Sequence, residues 1–518
     1  MAASLPTAIP WTVLIVLVPL IGAVAVTFLR APAQQRAARW TAFGASLLAL
    51  LLAVILAIGF TPAGPGVQYL VSSPWLPALG VSLSFGVTGI SLVMVLLTTV
   101  LAATVIAAEW RMPVPRGTTQ GYLALLLSLE ALVLGVFLAR DLFVFYVLFE
   151  AMLLPVYFLI GRFGGSRRGF AAVKFLVYSL VGGLAMLAAL IGLFVESKAA
   201  FGRPTFDMTA LADMTMSTPT ERLIWWGFFL AFAIKAPLVP LHTWLPDAAA
   251  ESTPGTATML IGVLDKVGVF GMLVILLPLL PNASVFYAPM VVVLALIGIL
   301  YGAVLAIGQG DMKRLFAYTS VSHFGFIVLG VFVFTGIAMN GAIFYMVAHG
   351  LSTAGLFLVA GYLMSQRGSA SISAYGGVSQ RAPLLAGLFL VMALSTLALP
   401  GLAGFIGEFL VLLGAFQRSV VVGVIATTGI VLAAIYMLWL VQRVMVGPLQ
   451  PGVDRVREVT VWQAAAVGPL VALLLLLGFF PQTVLSLVEP AAQTTLAGVP
   501  AGTAATPSLF GLTGGEQP

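Results

Sequence analysis

The 518 residues contain no cysteine, and only 8% of them are charged. Without cysteine there can be no disulfide and no thiolate-held iron–sulfur cluster. An ordinary soluble domain is about 25% charged and about 45–50% apolar. This chain is 61% apolar, so water is not its main solvent. No phosphate-cradling P-loop and no strand-borne GxGxxG is present, which leaves redox and nucleotide chemistry without a visible seat here. Long polar stretches are missing as well, and no soluble domain of useful size fits between the apolar runs. The formal charge of +6 raises the question of a nucleic-acid partner. Its basic residues, however, sit in short loops and build neither a basic face nor an aromatic platform, so nucleic acid is excluded and the lipid bilayer is the expected partner.

What the chain does have is a succession of apolar runs near the ~20 residues that a helix needs to cross a hydrocarbon core. The pattern predicts an all-α polytopic membrane protein of fourteen spans. They start near Trp11, Thr41, Thr88, Gly121, Asp141, Phe170, Arg222, Thr256, Phe286, Lys313, Asn340, Pro383, Val420 and Val461. Met1 to Ser4 lack the basic start of a secretory signal, and the first run, Trp11 to Leu29, ends at Arg30 instead of a cleavage site, so it reads as a retained span. With the N-terminus outside, the loops after odd-numbered spans carry Arg30, Arg36, Arg39, Arg111, Arg116, Arg162, Arg167, Arg168, Lys313, Arg314, Arg367, Arg381, Arg443, Arg455 and Arg457. The opposite loops carry Arg140, Lys198, Arg203, Arg222 and Arg418. Basic residues collect in cytoplasmic loops, so both termini are expected on the outer side.

Two spans look broken. The seventh runs into Pro237 and Pro240 just after Lys235, and the twelfth is interrupted at Pro400 and Gly401 before Glu408. Broken helices at matching positions of two halves point to a transport site. An odd offset of five spans reverses orientation, so the expected organisation is 1–120 with spans one to three, an inverted repeat over 121–283 and 284–447, and 448–518 with span fourteen and a C-terminal tail.

Four ionisable groups stand where the bilayer should exclude them. Glu150 lies in FVFYVLFEAMLLP, Lys235 in GFFLAFAIKAPLVP, Lys266 beside Asp265 in MLIGVLDKVGVFGM, and Glu408 in GLAGFIGEFLVLLG. Each costs at least about 2.5–3.5 kcal/mol at mid-bilayer, together on the order of 10 kcal/mol, unless paired or hydrated. A structural reading pairs Glu150 with Lys235 and Asp265 with Lys266 as glue; the functional reading makes the four a proton path. Histidine occurs three times, at His242 after the seventh-span break and at His323 and His349 inside spans ten and eleven. Imidazole titrates near neutrality, and Ser320, Ser322, Tyr345, Ser352 and Thr353 lie close enough in sequence to hold water, which favours a relay. The competing chemistry is a haem clamped between His323 and His349. Glu130, in LLLSLEALVLG, is assigned no role.

The segment KAPLVPLHTWLPDAAAESTPGTATMLIGVLDKVGVFGM, Lys235 to Met272, resembles the signature of the antiporter-like membrane subunits of respiratory complex I and of the related multisubunit cation/proton antiporters. LFEAMLLPVYFLIGRFGG from Leu148, DMKRLFAYTSVSHFGF from Asp311 and LPGLAGFIGEFLVL from Leu399 are similar to that family's other signatures. The resemblance runs from about Gly121 to Met445. It implies fourteen helices with two inverted five-helix units, and by motif it gives Glu150 the role of the span-five glutamate, Lys235 that of the broken-helix lysine, Lys266 that of the connecting lysine and Glu408 that of the terminal group. A glutamate at that last position marks the M-type branch, where L-type, N-type and antiporter relatives usually carry lysine. One departure is Thr88, where relatives often have an aspartate before GISL.

The function so implied is proton translocation in the bacterial plasma membrane, coupled to NADH:quinone electron transfer in partner subunits. FMN, iron–sulfur clusters and quinone are expected in those partners and no cofactor or metal in this chain; L- and N-type antiporter-like subunits are the expected neighbours. The alternative is a subunit of a multisubunit cation/proton antiporter or a membrane-bound hydrogenase complex. The expected switch is electrostatic: at an effective dielectric of ~20, Glu150 at ~4 Å stabilises a charge on Lys235 by about 4 kcal/mol, and separation to ~8 Å gives up half of it.

Overall fold

The computed structural model describes residues 5–6, 9–64, 66–112, 114 and 116–500; the expectation drawn from Met1 to Ser4 and the end of the expected tail, 501–518, lie outside them. The chain begins with α1 (Trp11–Phe28) and α2 (Gln35–Gly59), followed by an antiparallel hairpin, β1 (Gln68–Leu76) and β2 (Val81–Val87). Then come α3 (Gly89–Ala108), α4 (Thr119–Leu138), α5 (Leu142–Phe163), α6 (Arg168–Phe201), α7 (Thr218–Lys235), α8 (Trp244–Glu251) and α9 (Pro254–Leu279). The second half holds α10 (Pro281–Ile307), α11 (Met312–Phe332), α12 (Gly336–Arg367), α13 (Pro383–Thr396), α14 (Ala403–Arg418), α15 (Val420–Met445) and α16 (Val461–Phe479). It closes on α17 (Gln482–Ala497).

Fourteen continuous spans are not what folds. Among the described residues twelve helices are long and apolar enough to cross a membrane, or thirteen if the pair Ile372–Gln380 and Pro383–Thr396, bent by 117°, counts as one. The two expected spans outside the twelve are the two expected to be broken. One is α7, which ends at Lys235 and resumes as α8 only at Trp244; the other is α13, separated from α14 by Leu397 to Leu402.

Helix starts follow from side chains that accept the free N–H groups of a first turn. Asp141 caps α5, taking the N–H groups of Phe143 and Val144, while its other oxygen accepts from Ser82 N–H of the hairpin at 2.9 Å. Thr88, the departure from the family pattern, is the cap of α3: its hydroxyl accepts from Ser91 N–H, and Ser91 Oγ accepts from Thr88 N–H. Glu221 serves α10 in the same way through Ala283 N–H at 2.9 Å.

A helix apolar all round belongs inside a bundle, and one with a single packed stripe belongs at its edge. α9, α11 and α12 are buried along nearly their whole length, whereas α1, α2, α6, α10, α15 and α16 expose much of their apolar surface. The axis of the molecule is therefore built from the three helices that carry Lys266, His323 and His349. The hairpin and α17 were not anticipated. The hairpin packs by β2 against the start of α5, and α17 lies along α3, with Val488 fully buried.

Candidate functional site

The break after α7 is held open by specific bonds. Ala236 N–H still reaches Phe232 O at 2.7 Å and Leu238 N–H reaches Ala233 O at 2.9 Å, but Pro237 and Pro240 stop the helix ladder. The orphaned Ile234 carbonyl accepts from the Trp244 indole N–H at 3.0 Å, so α8 supplies the group that α7 lost. Lys235 is thereby fixed as the last residue of α7, 1% exposed, with no hydrogen-bond partner for its Nζ among the described residues.

Lys235 Nζ lies 5.1 Å from the ring centre of Phe149 and 5.3 Å from that of Phe175. Two such faces offer about 0.5–2 kcal/mol each toward a buried ammonium, with the upper end reached only when desolvated. Against a mid-bilayer cost of at least about 2.5–3.5 kcal/mol, the rings leave little margin for a charged Lys235 without help from Glu150 or water. Glu150 is not in contact with it: the two form no ion pair. The Glu150 carboxylate is laid instead against the backbone of α6 at Gly183, where a Cβ would come within 2.0 Å of Oε1 and 2.7 Å of Oε2. Only glycine leaves that slot. The direct Glu150–Lys235 pairing of the structural reading is absent, and the carboxylate rests against α6 instead.

Lys266 is also unpaired with its neighbour in sequence. Among the described residues both Asp265 carboxylate oxygens lack hydrogen-bond partners, and the residue is within electrostatic reach of Lys266 and Lys235 alike. Lys266 Nζ donates to Ile261 O at 2.6 Å, within the π-helical turns Leu260–Leu264, and meets His349 Nδ1 at 2.7 Å. Widened turns of this kind recur at functional sites. Gly268, on the next turn, brings α9 against the end of α7: a Cβ there would stand 2.5 Å from Phe232 O and Ala236 N.

From His349 the polar line continues. His349 Nε2 meets Ser320 Oγ at 3.1 Å, and the His323 ring centre is 5.3 Å away. His323 Nδ1 is bonded to the Tyr345 hydroxyl, which also donates to Glu408 Oε2 at 3.4 Å; His323 Nε2 faces the Tyr436 hydroxyl at 3.4 Å. All four ring nitrogens of the two histidines thus meet protein groups, the arrangement of a hydrogen-bonded chain and not of an axial-ligand pair. Glu408, 1% exposed, stands one and a half turns into α14 after the second break.

The structure therefore joins Lys266, His349, His323 and Glu408, with Tyr345 as the bridge that sequence reasoning had only placed among the water-holding groups. Its spacing was the signal: Tyr345 is one turn before His349 on the same face of α12. Tyr436, Asp265 and Gly183 were missed as members of the site. His242 is not joined to this line: its Nδ1 has no hydrogen-bond partner among the described residues, and its ring packs against Tyr301 and Tyr318. Glu130 turns away toward α2, where Ser46 Oγ donates to it at 3.0 Å. Asp247 was also passed over; it accepts from Lys174 at 2.7 Å and from Arg314 at 2.6 Å, tying α6 to α11 across the two halves.

The family described as NADH:quinone oxidoreductase/Mrp antiporter, transmembrane, matches residues 139–433, a stretch that takes in Glu150, Lys235, His242, Asp265, Lys266, His323, His349 and Glu408 but not Glu130. The chain belongs to that family. A relative from Mycobacterium tuberculosis named NADH-quinone oxidoreductase subunit M is 46% identical over 522 residues, covering 94% of either chain. A chain of the respiratory complex I of Thermus thermophilus, solved with bound NADH, superposes with a TM-score of 0.86 at 34% identity and covers 95% of this chain and 100% of its own. A chain of the Mrp complex from Dietzia sp. shares the fold, with a TM-score of 0.81, at 24% identity over 97% of this chain and 99% of its own. Within this NADH:quinone oxidoreductase/Mrp antiporter family, both helix breaks and the charged groups from Glu150 to Glu408 lie inside the matched region, and α1 to α4, α16 and α17 lie outside it.

Proposed function

We propose that this chain is the M-type, proton-translocating membrane subunit of a bacterial NADH:quinone oxidoreductase, beside L- and N-type antiporter-like subunits, with both termini on the outer face of the plasma membrane. FMN, iron–sulfur clusters and quinone belong, in this reading, to partner subunits, and this chain contributes the proton path. The observation that carries the proposal is the continuous set of buried titratable groups from Lys266 through His349, His323 and Tyr345 to Glu408 on helices that cross the membrane.

The steps follow from the geometry. Glu150, resting against Gly183, leaves Lys235 without a contact counter-ion; moved toward Lys235, it would hold the ammonium by about 4 kcal/mol at ~4 Å and an effective dielectric of ~20. Its withdrawal frees a proton toward Lys266, with Asp265 between the two lysines as the group whose charge eases that passage. Lys266 delivers to His349, whose Nδ1 is aligned to accept, and the proton passes on to His323, whose ring centre is 5.3 Å away. Tyr345 takes the proton from His323 and passes its own to Glu408, from which it leaves outward. His242 takes no step. Moving one charge against ~100 mV requires about 2.3 kcal/mol, so the redox reaction of the partners must drive the cycle.

Identity at 46% to a subunit M favours this reading over the antiporter, whose likeness at 24% speaks to fold alone. The test is NADH-driven proton uptake in vesicles holding the whole complex, with tags on both termini of this chain. Reduced uptake per NADH in Lys235→Met with the complex intact supports the proposal. Unchanged uptake, or tags reached only from the cytoplasmic side, contradicts it.

A further inference from the structure

A cavity of about 530 Å³ lies outside the relay, where the ends of α3, α4, α9 and α12 meet. Arg39, Trp110, Glu251 and Lys313 line it, which places it on the face of the basic loops, the cytoplasmic side in the reading above. Its walls are mostly apolar, and its floor is a polar cluster that the proposed mechanism does not use. Glu109, the residue after α3, accepts from the Tyr122 hydroxyl at 2.7 Å and from Gly255 N–H at 2.7 Å. Tyr122 also meets Thr253 Oγ1 at 2.8 Å and Thr256 Oγ1 at 3.3 Å, and Thr253 donates to Thr256 at 2.8 Å.

We propose that this cavity is a hydrated proton-uptake chamber and that Glu109 is the group in it that accepts protons bound for Lys266. The proposal rests on the reading of Lys266 as part of the path. Three features carry it. The cluster sits on the first turn of α9, the helix that bears Lys266. Two residues beyond Thr256, Thr258 is fully buried and its hydroxyl has no hydrogen-bond partner among the described residues, and Lys266 follows eight residues later, about 12 Å along the helix. The turns between, Leu260–Leu264, are π-helical, and Lys266 already donates to one of their carbonyls, that of Ile261. Burial lifts the Glu109 carboxyl above its ordinary range despite the hydrogen bonds from Tyr122 and Gly255, so it holds a proton closer to neutral pH. The groups around it are Tyr122 on α4, Tyr362 on α12, Thr253 at the cap of α9 and Thr256 on it, and across the cavity Arg39, Glu251 and Lys313. The step is plain proton transfer: cavity water loses a proton to the Glu109 carboxylate, which hands it on through hydroxyls and water, and only O–H bonds form and break.

A bland rival exists, in which Glu109 merely caps α9. Glu109→Gln separates the two, because the amide oxygen keeps the bond to Gly255 N–H while the side chain can no longer carry a proton. In vesicles holding the whole complex, the proposal expects proton uptake per NADH in Glu109→Gln to fall as the medium is taken from ~pH 6 to ~pH 8, reaching about a tenfold loss, with Glu109→Asp retaining more. Uptake like the unaltered complex across that range overturns the proposal. Hydration is read independently of the relay: the chain has no cysteine, so Met364→Cys in the cavity wall gives this subunit a single thiol. A membrane-impermeant thiol reagent should modify it from the cytoplasmic face, as read by mass spectrometry of this subunit; no modification, or modification only from the outer face, overturns the chamber. Lys266→Met run alongside keeps the failures apart. Normal uptake there removes the relay on which Glu109 depends, whereas lost uptake there with normal uptake in Glu109→Gln removes Glu109 alone.

Discussion

Lys266 Nζ stands 2.7 Å from His349 Nδ1, and this one bond joins α9 to α12 through two titratable groups. Where Lys266 donates as an ammonium, Nδ1 accepts, and the proton of a neutral His349 then belongs on Nε2, which faces Ser320 Oγ at 3.1 Å.

Lys266→Arg distinguishes a proton carrier from a fixed charge. Arginine keeps the positive charge and the donor but does not release its proton in proteins. The complex should assemble, and NADH-driven proton uptake should fall about tenfold or more, a barrier change of at least about 1.4 kcal/mol. If Lys266 is an electrostatic anchor only, Arg preserves uptake.

Tyr345→Phe removes the hydroxyl that bridges His323 and Glu408 and leaves the ring packing in place. Coupled turnover should drop about tenfold in the assembled complex. Tyr436→Phe should cost less, because the Tyr436 hydroxyl meets the far nitrogen of His323 at 3.4 Å and lies off the path to Glu408. Equal losses in the two variants would remove Tyr345 from its bridging role.

Much of this was legible in the chain. Glu150, Lys235, Lys266 and Glu408 announced themselves because a charge inside an apolar run has few bland explanations, and Pro237, Pro240 and Pro400 marked both breaks. The partners were harder to see. The spacing of Tyr345 to His349 puts the two on one face of α12, but the bridge to His323 and Glu408 shows only in three dimensions. Gly183 is a gap and not a group, so no sequence pattern signals the carboxylate it accommodates. The hairpin over Gln68–Leu76 and Val81–Val87 hides its alternation behind Pro74 and Pro77 and is short enough to read as a loop. His242 is the other case: the break drew attention to it, and its ring packs against Tyr301 and Tyr318, apart from the line that joins Lys266 to Glu408.

Gly183→Ala tests whether the resting place of Glu150 matters. The added methyl would fall within 2.0 Å of Glu150 Oε1, so the carboxylate must leave its slot. Proton uptake should fall by about tenfold, and Glu150→Asp in the same chain, one methylene shorter, should recover a substantial part. A general packing defect would not be repaired by shortening Glu150. Glu130→Gln serves as the control, since its carboxylate faces Ser46 on α2 and has no place in the path; its turnover should stay near normal.

The central claim, that Glu150 and Lys235 form a switch and not a structural pair, is tested most directly by the double variant Glu150→Gln with Lys235→Met in the whole complex, read as NADH-driven proton uptake per NADH oxidised. Loss of one member of a structural pair leaves an uncompensated buried charge, which removal of the second relieves. The switch predicts that each single variant and the double variant assemble, and that uptake is low in all three. Assembly lost in the single variants, with assembly and normal uptake regained in the double variant, would contradict it.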